Sequence, residues 1–192
     1  MSVADQLRKG MVIRHEGQLF TVLDYHVAQT GKQKPTVHVK LRSLKSGHTG
    51  ERTLDELGTI EEVPAEVRTF QYLYASGQER VFMDTETYEQ YPLSEQILGD
   101  AVDFLVEEEV YKFLTVDEQP VSIQLPSTVV LEVVDTAPPE HAGGTTNVYK
   151  EAKLASGLTI QVPLFIKNGD RVRVNTDTRQ YQGKEKEKEK EG

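Results

Sequence analysis

Cysteine is absent from the 192 residues, which excludes disulfides, thiolate zinc sites and cysteine nucleophiles together. No apolar run approaches the length needed to span a bilayer, and Met1 to Lys9 holds no apolar stretch of signal-peptide length. A cytoplasmic protein with no membrane partner is therefore expected. Enzyme signatures are missing as well: the chain has no GxSxG, no P-loop and no GxGxxG. The five histidines, His15, His26, His38, His48 and His141, show no HExxH or other close ligand spacing, and a lone histidine in or near a strand is most often structural. Glu107, Glu108 and Glu109 form an acidic cluster, but three consecutive side chains cannot converge on one face of a strand. They read as a solvated edge, and no metal, cofactor or catalytic residue is expected.

What is present is ordinary for a soluble protein in bulk, with 37% apolar and 28% charged residues. The net charge of −9 would argue against a nucleic-acid partner, yet it hides an asymmetry along the chain. Residues 1–54 hold nine Lys and Arg against four Asp and Glu, a balance of +5. Residues 64–127 hold three against thirteen, or −10, and residues 128–192 hold ten of each. A chain that touches RNA at its ends while its middle faces solvent or a basic protein has this profile. Chance variation among surface charges gives it equally well.

The hydrophobic pattern divides into three segments of similar size. In the first, Met11 to Ile13, Leu19 to Leu23 and Val37 to Leu41 are β-rich runs separated by turn signals at Glu16-Gly17, Thr30-Gly31 and Ser46-Gly47. The second opens after Pro64 with Thr69 to Tyr74, turns at Ser76-Gly77 and resumes at Glu79 to Met83; its Ser94 to Leu98 and Ala101 to Leu105 runs leave room for one short helix. The third begins near Thr128 with Val129 to Val134, bounded by Pro126 and by Pro138-Pro139. Short strands at regular spacing with little helical periodicity predict an all-β chain of small barrels in series. Each is near the lower size for independent folding, so modest cores are expected.

Lys150 to Gly169 is the most informative stretch. Leu158, Ile160 and Val162 alternate with Thr159 and Gln161, which predicts a half-buried strand ended by Pro163. A second strand follows over Arg171 to Asn175, with Val172 and Val174 inward and Arg171 and Arg173 outward. The same stretch places Lys150, Ala152, Gly157, Ile160, Val162, Pro163, Ile166 and Gly169 at the spacing of one family signature. With Lys9 to Met11, Val39 to Arg42 followed by Gly47, Phe82 to Gln90 and Leu131 to Thr136, it resembles the bacterial elongation factor P family from about Asp5 to Gly183. That family relieves ribosomes stalled on consecutive prolines.

The resemblance implies an SH3-like (KOW-like) first domain, residues 1–64, and two OB-fold domains, residues 65–127 and 128–183, set in an L that resembles tRNA. It implies a monomer that binds the 70S ribosome between the P and E sites, with ribosomal RNA and the P-site tRNA as contacts and no catalytic residues of its own. The acidic middle fits a basic ribosomal protein near the E site. The active end of the family is a hairpin tip, which falls here on Gln29 to Pro35, with Thr30, Gly31, Gln33 and Lys34 around the lysine that the family often modifies, Lys32. Such a tip projecting four residues beyond a barrel would reach roughly 13 Å at about 3.3 Å per residue, enough to enter an RNA tunnel that a barrel cannot. Its ammonium would meet the backbone of the tRNA acceptor end without reading sequence.

Many family members follow the lysine with glycine, whereas this chain has Gln33 and then Lys34-Pro35, so the resemblance leaves open whether a lysine-modifying enzyme adds β-lysyl, 5-aminopentanol, another group or none. Tyr181 and Lys184 align with a tyrosine and a basic residue that touch small-subunit RNA in the family; a core or edge tyrosine fits that position as well. The family's Gly-Asp-Thr element, which approaches mRNA, aligns with Ala142, Gly143 and Gly144, where only backbone N–H groups could serve. The last residues, 184–192, alternate Lys and Glu, put like charges four apart and offer no apolar face. They read as a disordered, dispensable tail. An elongation-factor-P-like paralogue and a general OB-fold nucleic-acid binder are the alternatives; the Gly31-Lys32 tip argues against the first and the acidic middle against the second.

Overall fold

The computed structural model describes residues 2–55, 59–140 and 148–186. Strands dominate, in three sheets of five strands each. The chain divides into two compact units, Met1–Gly99 with Val110–Ile123, and Asp100–Glu109 with Gln124–Gly192. Among the described residues no helix is long and apolar enough to cross a membrane.

The first sheet runs β4-β3-β2-β1-β5, with β1 over Val12–His15, β2 over Gln18–Ala28, β3 over Thr36–Ser43, β4 over Thr49–Asp55 and β5 over Glu61–Val63. β3 alternates as a strand with one buried face should: Val37, Val39 and Leu41 are buried while Lys40 and Arg42 are exposed. The inward set packs with Phe20, Val22, Ile13 and Met11. A short helix, α1 (Val3–Gln6), closes one side of this core through Val3; it starts at a capping box in which the Ser2 hydroxyl accepts from the Asp5 N–H and the Asp5 carboxylate accepts in return.

The second sheet runs β10-β9-β6-β7-β8, formed by β6 (Glu66–Ser76), β7 (Glu79–Asp84), β8 (Gln90–Ser94), β9 (Val110–Val116) and β10 (Gln119–Gln124). Phe70, Phe82 and Phe113 are fully buried in it and meet edge to face at centroid separations of 4.9 and 5.2 Å, an arrangement that adds to burial because ring edges are positive and faces negative. Asp84, at the end of β7, is 1% exposed and organises the turn into β8. Its Oδ1 accepts from the N–H groups of Glu86 and Thr87 at 2.8 and 3.2 Å, its carbonyl accepts from the Tyr88 N–H, and its own N–H donates to the Glu89 carbonyl. The Arg68 guanidinium lies 2.9 Å from the other carboxylate oxygen, Oδ2, which has no aligned hydrogen bond, so charge alone holds that contact.

The third sheet runs β13-β12-β11-β14-β15, formed by β11 (Thr128–Thr136), β12 (Tyr149–Leu154), β13 (Thr159–Pro163), β14 (Arg171–Asn175) and β15 (Tyr181–Lys184). Its two edge strands, β13 and β15, approach each other, as expected when a sheet curls into a barrel. The expected strands at Thr159–Pro163 and Arg171–Asn175 are present, with Ile160, Val162, Val172 and Val174 buried and Arg171 and Arg173 exposed.

Between β8 and β9 the chain forms α2 (Glu95–Leu98), whose first turn is capped by the Ser94 hydroxyl, and then a 3-10 turn over Gly99–Phe104. That turn leaves the second sheet: Phe104, 1% exposed, sits in the core of the third with Leu131, Val133 and Leu154. Arg179 fastens it there, with Nη1 2.7 Å from the Asp103 carboxylate and the guanidinium 5.9 Å from the Phe104 ring centroid. Glu107 to Glu109 lie, all exposed, in the turn that follows, closed by a bond from the Glu109 N–H to the Val106 carbonyl, where a strand edge was expected. His141, Ala142, Gly143 and Gly144 lie outside the described residues, as does most of the Lys/Glu tail, residues 187–192.

Candidate nucleic-acid interface

The tip is built by β2 and β3, which pair from Phe20↔Ser43 to Ala28↔Thr36 and leave the seven residues Gln29 to Pro35 as the connecting loop. At its apex the Gln33 N–H donates to the Thr30 carbonyl at 3.3 Å, closing a four-residue turn. Gly31 takes φ +64° at the first central position and Lys32 is not left-handed, the sign pattern of a type II′ turn, which requires glycine there. Nothing lies within 4 Å of where a Gly31 Cβ would sit, so backbone geometry and not crowding selects glycine. Gly31, Lys32, Gln33 and Lys34 are all exposed, and neither lysine makes an ion pair among the described residues.

The expected projection differs in form. β4 pairs with β3 as far as Thr36↔Asp55, so β3 is paired on both sides up to its first residue, and only the loop itself extends beyond the sheet. On the other side β1 pairs only with Gln18 to Thr21, so β2 beyond its bulge at Leu23 is an edge. At that bulge the Lys9 ammonium bonds Asp24 at 3.2 Å, and this, with the Tyr25 N–H, holds the Asp24 carboxyl below its ordinary range.

Tyr181 and Lys184 lie on β15, three residues apart, which would put them on opposite faces of a regular strand. A bulge opposite Arg173 and Val174 restores them to one face: Tyr181 pairs with Val174 and Lys184 with Val172, both buried. Tyr181 packs partly against the third core, and burial, then the charge of Asp170, pushes its phenol above the ordinary value, so it remains a hydrogen-bond donor at neutral pH. Lys184 lies 3.3 Å from the Asp170 carboxylate, which is 7% exposed. That partner, fourteen residues away in sequence, was not visible from spacing. An open groove beside Tyr181 is lined by Tyr149, Gln161, Pro163 and Arg179.

Lys150, the first residue of the signature, has a local task. Its ammonium donates to the carbonyls of Ala137, Pro138 and Ile166, tying the exit of β11 to the loop after β13. Gly169 closes the same region at φ +91°, its N–H bonded to the Val133 carbonyl. Lys150→Met is expected to lower unfolding free energy by about 2 kcal/mol, the scale of hydrogen bonds to a charged group. Urea unfolding reads it, and an unchanged midpoint would show that water replaces the ammonium without loss.

Residues 3–56 match the KOW-like domain of elongation factor P, residues 65–123 its OB domain and residues 129–184 its C-terminal domain. The chain belongs to the elongation factor P family. It is 40% identical over 172 residues to elongation factor P of Dictyoglomus turgidum, covering 90% of this chain and 93% of that one. It is likewise 40% identical over 181 residues to elongation factor P of a Synechococcus species, covering 94% and 98%. Among solved structures, initiation factor 5A from Methanococcus jannaschii superposes with a TM-score of 0.51 at 20% identity, covering 65% of this chain and 90% of that one, a likeness of fold. The elongation factor P family consists of translation factors, not enzymes, and works on the ribosome. No group of three or more His, Asp or Glu among the described residues is placed to hold a metal.

Proposed function

We propose that this translation elongation factor binds in the cytoplasm between the ribosomal P and E sites and relieves stalling at consecutive prolines, with Lys32 meeting the acceptor end of the P-site tRNA. The observation that carries this is an exposed lysine, free of ion pairs among the described residues, held at the apex of a glycine turn beyond the end of a sheet. Proline reacts poorly because its ring fixes the backbone, so the reacting ends sit badly aligned. Clamping the acceptor end reduces the entropy of misorientation, and each ~1.4 kcal/mol recovered speeds the step about tenfold. Addition of the purified chain to a translation system lacking its own elongation factor P should restore synthesis of a reporter with three prolines in a row and leave a proline-free reporter unchanged. Failure to restore the first would overturn the reading.

The same proposal assigns residues 1–64, 65–127 and 128–183 as domains, the last touching small-subunit RNA through Tyr181 and Lys184, with Gly143 and Gly144 near mRNA. The modifying enzyme, if the host has one, would act on Lys32, and intact mass of the native protein reads any adduct. The acidic stretch 64–127, with three basic and thirteen acidic residues, should face a basic ribosomal protein. Photocrosslinkers placed there are expected to capture protein; capture mainly of ribosomal RNA would contradict that assignment.

A further inference from the structure

Two rungs below the tip, on the outer face of the first sheet, His26 and His38 stand opposite each other on β2 and β3, their rings stacked at 5.0 Å between centroids and 22° between planes. The His38 Nδ1 lies 3.3 Å from the Thr53 hydroxyl on β4, which fixes that ring's orientation. His26 is exposed, and it lies on the half of β2 that has no β1 beside it. Two imidazoles stacked at the surface bury little and contribute little to a core. They present a flat π-face, set at a fixed place relative to Lys32 by the pairing of β2 with β3.

The charges around the pair allow a polyanion to approach. Two rungs further down, on the same face, Asp24, Lys40 and Glu51 lie in register, with Asp24 already neutralised by Lys9 at 3.2 Å. Two rungs below that, the same face carries Arg42, and residues 1–54 sum to +5. Every nucleobase has a π-face, and an unpaired one stacks on an aromatic side chain without regard to sequence. We propose that the His26–His38 pair is a second RNA contact of the first domain, a platform on which one unpaired nucleotide stacks while Lys32 reaches past it. This rests on the reading that the tip enters an RNA site. The nucleotide comes either from the acceptor end of the P-site tRNA or from ribosomal RNA lining its path.

Two measurements test it. The chain has five histidines, so their ring-proton signals can be followed singly. On titration with a single-stranded RNA pentamer ending in CCA, the His26 and His38 signals should move upfield together, while His15 and His48 stay still; no movement, or equal movement of all, overturns the proposal. Second, His26→Ala with His38→Ala should weaken binding to 70S ribosomes about tenfold, within the range for loss of one stacked base, while His26→Phe with His38→Phe, which keeps flat faces, should bind nearly as the parent does. Loss only when the P site holds tRNA assigns the nucleotide to tRNA, and loss with the P site vacant as well assigns it to ribosomal RNA. Equal binding of the alanine pair and the parent, or equal weakness of both pairs at unchanged thermal midpoint, overturns the platform. Lys32→Ala in the three-proline reporter, set beside the alanine pair in the binding assay, keeps the two ideas apart: if Lys32→Ala rescues proline-rich synthesis while the alanine pair loses affinity, the tip assignment fails and the platform stands.

Discussion

Lys32→Ala is expected to abolish most relief of stalling on a three-proline reporter while leaving the protein folded and still bound to ribosomes. Folding should survive because the side chain is exposed, lies in a turn and makes no ion pair among the described residues; exposed substitutions away from special backbone geometry usually change stability by under about 0.5 kcal/mol. The turn should persist too, since its geometry rests on Gly31 at φ +64° and on the bond from the Gln33 N–H to the Thr30 carbonyl, neither of which uses the lysine side chain. What is lost is the one long cation at the apex. Lys34→Ala should do much less, because Lys34 follows the closed turn and does not stand at its corner. A proline-free reporter, translated normally in all cases, controls for general damage. Rescue by Lys32→Ala equal to the parent, where omission of the protein causes stalling, would show that neither the tip nor the clamping of the acceptor end is the working principle.

Strands with alternating apolar residues were legible in the sequence. Val37 to Leu41, Ile160 to Val162 and Val172 to Val174 all bury the side chains that their period of two predicts, whereas β7 buries the neighbours Val81 and Phe82 together. β4 was not, because Thr49–Asp55 is a polar edge strand whose Glu51, Arg52 and Thr53 face solvent, so nothing in its pattern marks a buried face. The Ser94 to Leu98 and Ala101 to Leu105 runs were legible as room for one short helix, but the destination of the second was not: Phe104 packs into the third core, with Arg179, some seventy-five residues later, paired to Asp103 beside it. The turn at Thr30-Gly31 was readable down to its glycine. The common face of Tyr181 and Lys184 was hidden because it depends on a bulge, and a bulge leaves no period in the residues that carry it. The Lys150 contacts were hidden differently: the signature spacing marked the residue, while its chemistry, an ammonium among three carbonyls, belongs to loops that only the fold brings together.

Asp84→Ala is expected to lower stability by about 3 kcal/mol or more, the scale of truncating a buried aromatic side chain. Two losses add. The N–H groups of Glu86 and Thr87 lose their acceptor in a turn where Tyr88 already sits at φ +61°, a conformation that disfavours a bulky residue. Arg68, whose side chain is only 13% exposed, loses the carboxylate 2.9 Å away, and removal of one partner of a buried pair typically costs about 3 to 5 kcal/mol because the other charge stays buried. The residual contact of Arg68 with Glu86, at 3.5 Å, offsets little, since Glu86 is 80% exposed and its charge is well screened. Asp84→Asn should fall between, keeping an acceptor for the turn but not the charge for Arg68. The two losses separate in a second background: in Asp84→Ala, adding Arg68→Met should recover the part due to the stranded guanidinium and leave the part due to the turn. Urea unfolding of the four proteins measures this. If the double variant is no more stable than Asp84→Ala alone, the ion pair contributes nothing, and the turn's hydrogen bonds are the whole of what Asp84 supplies.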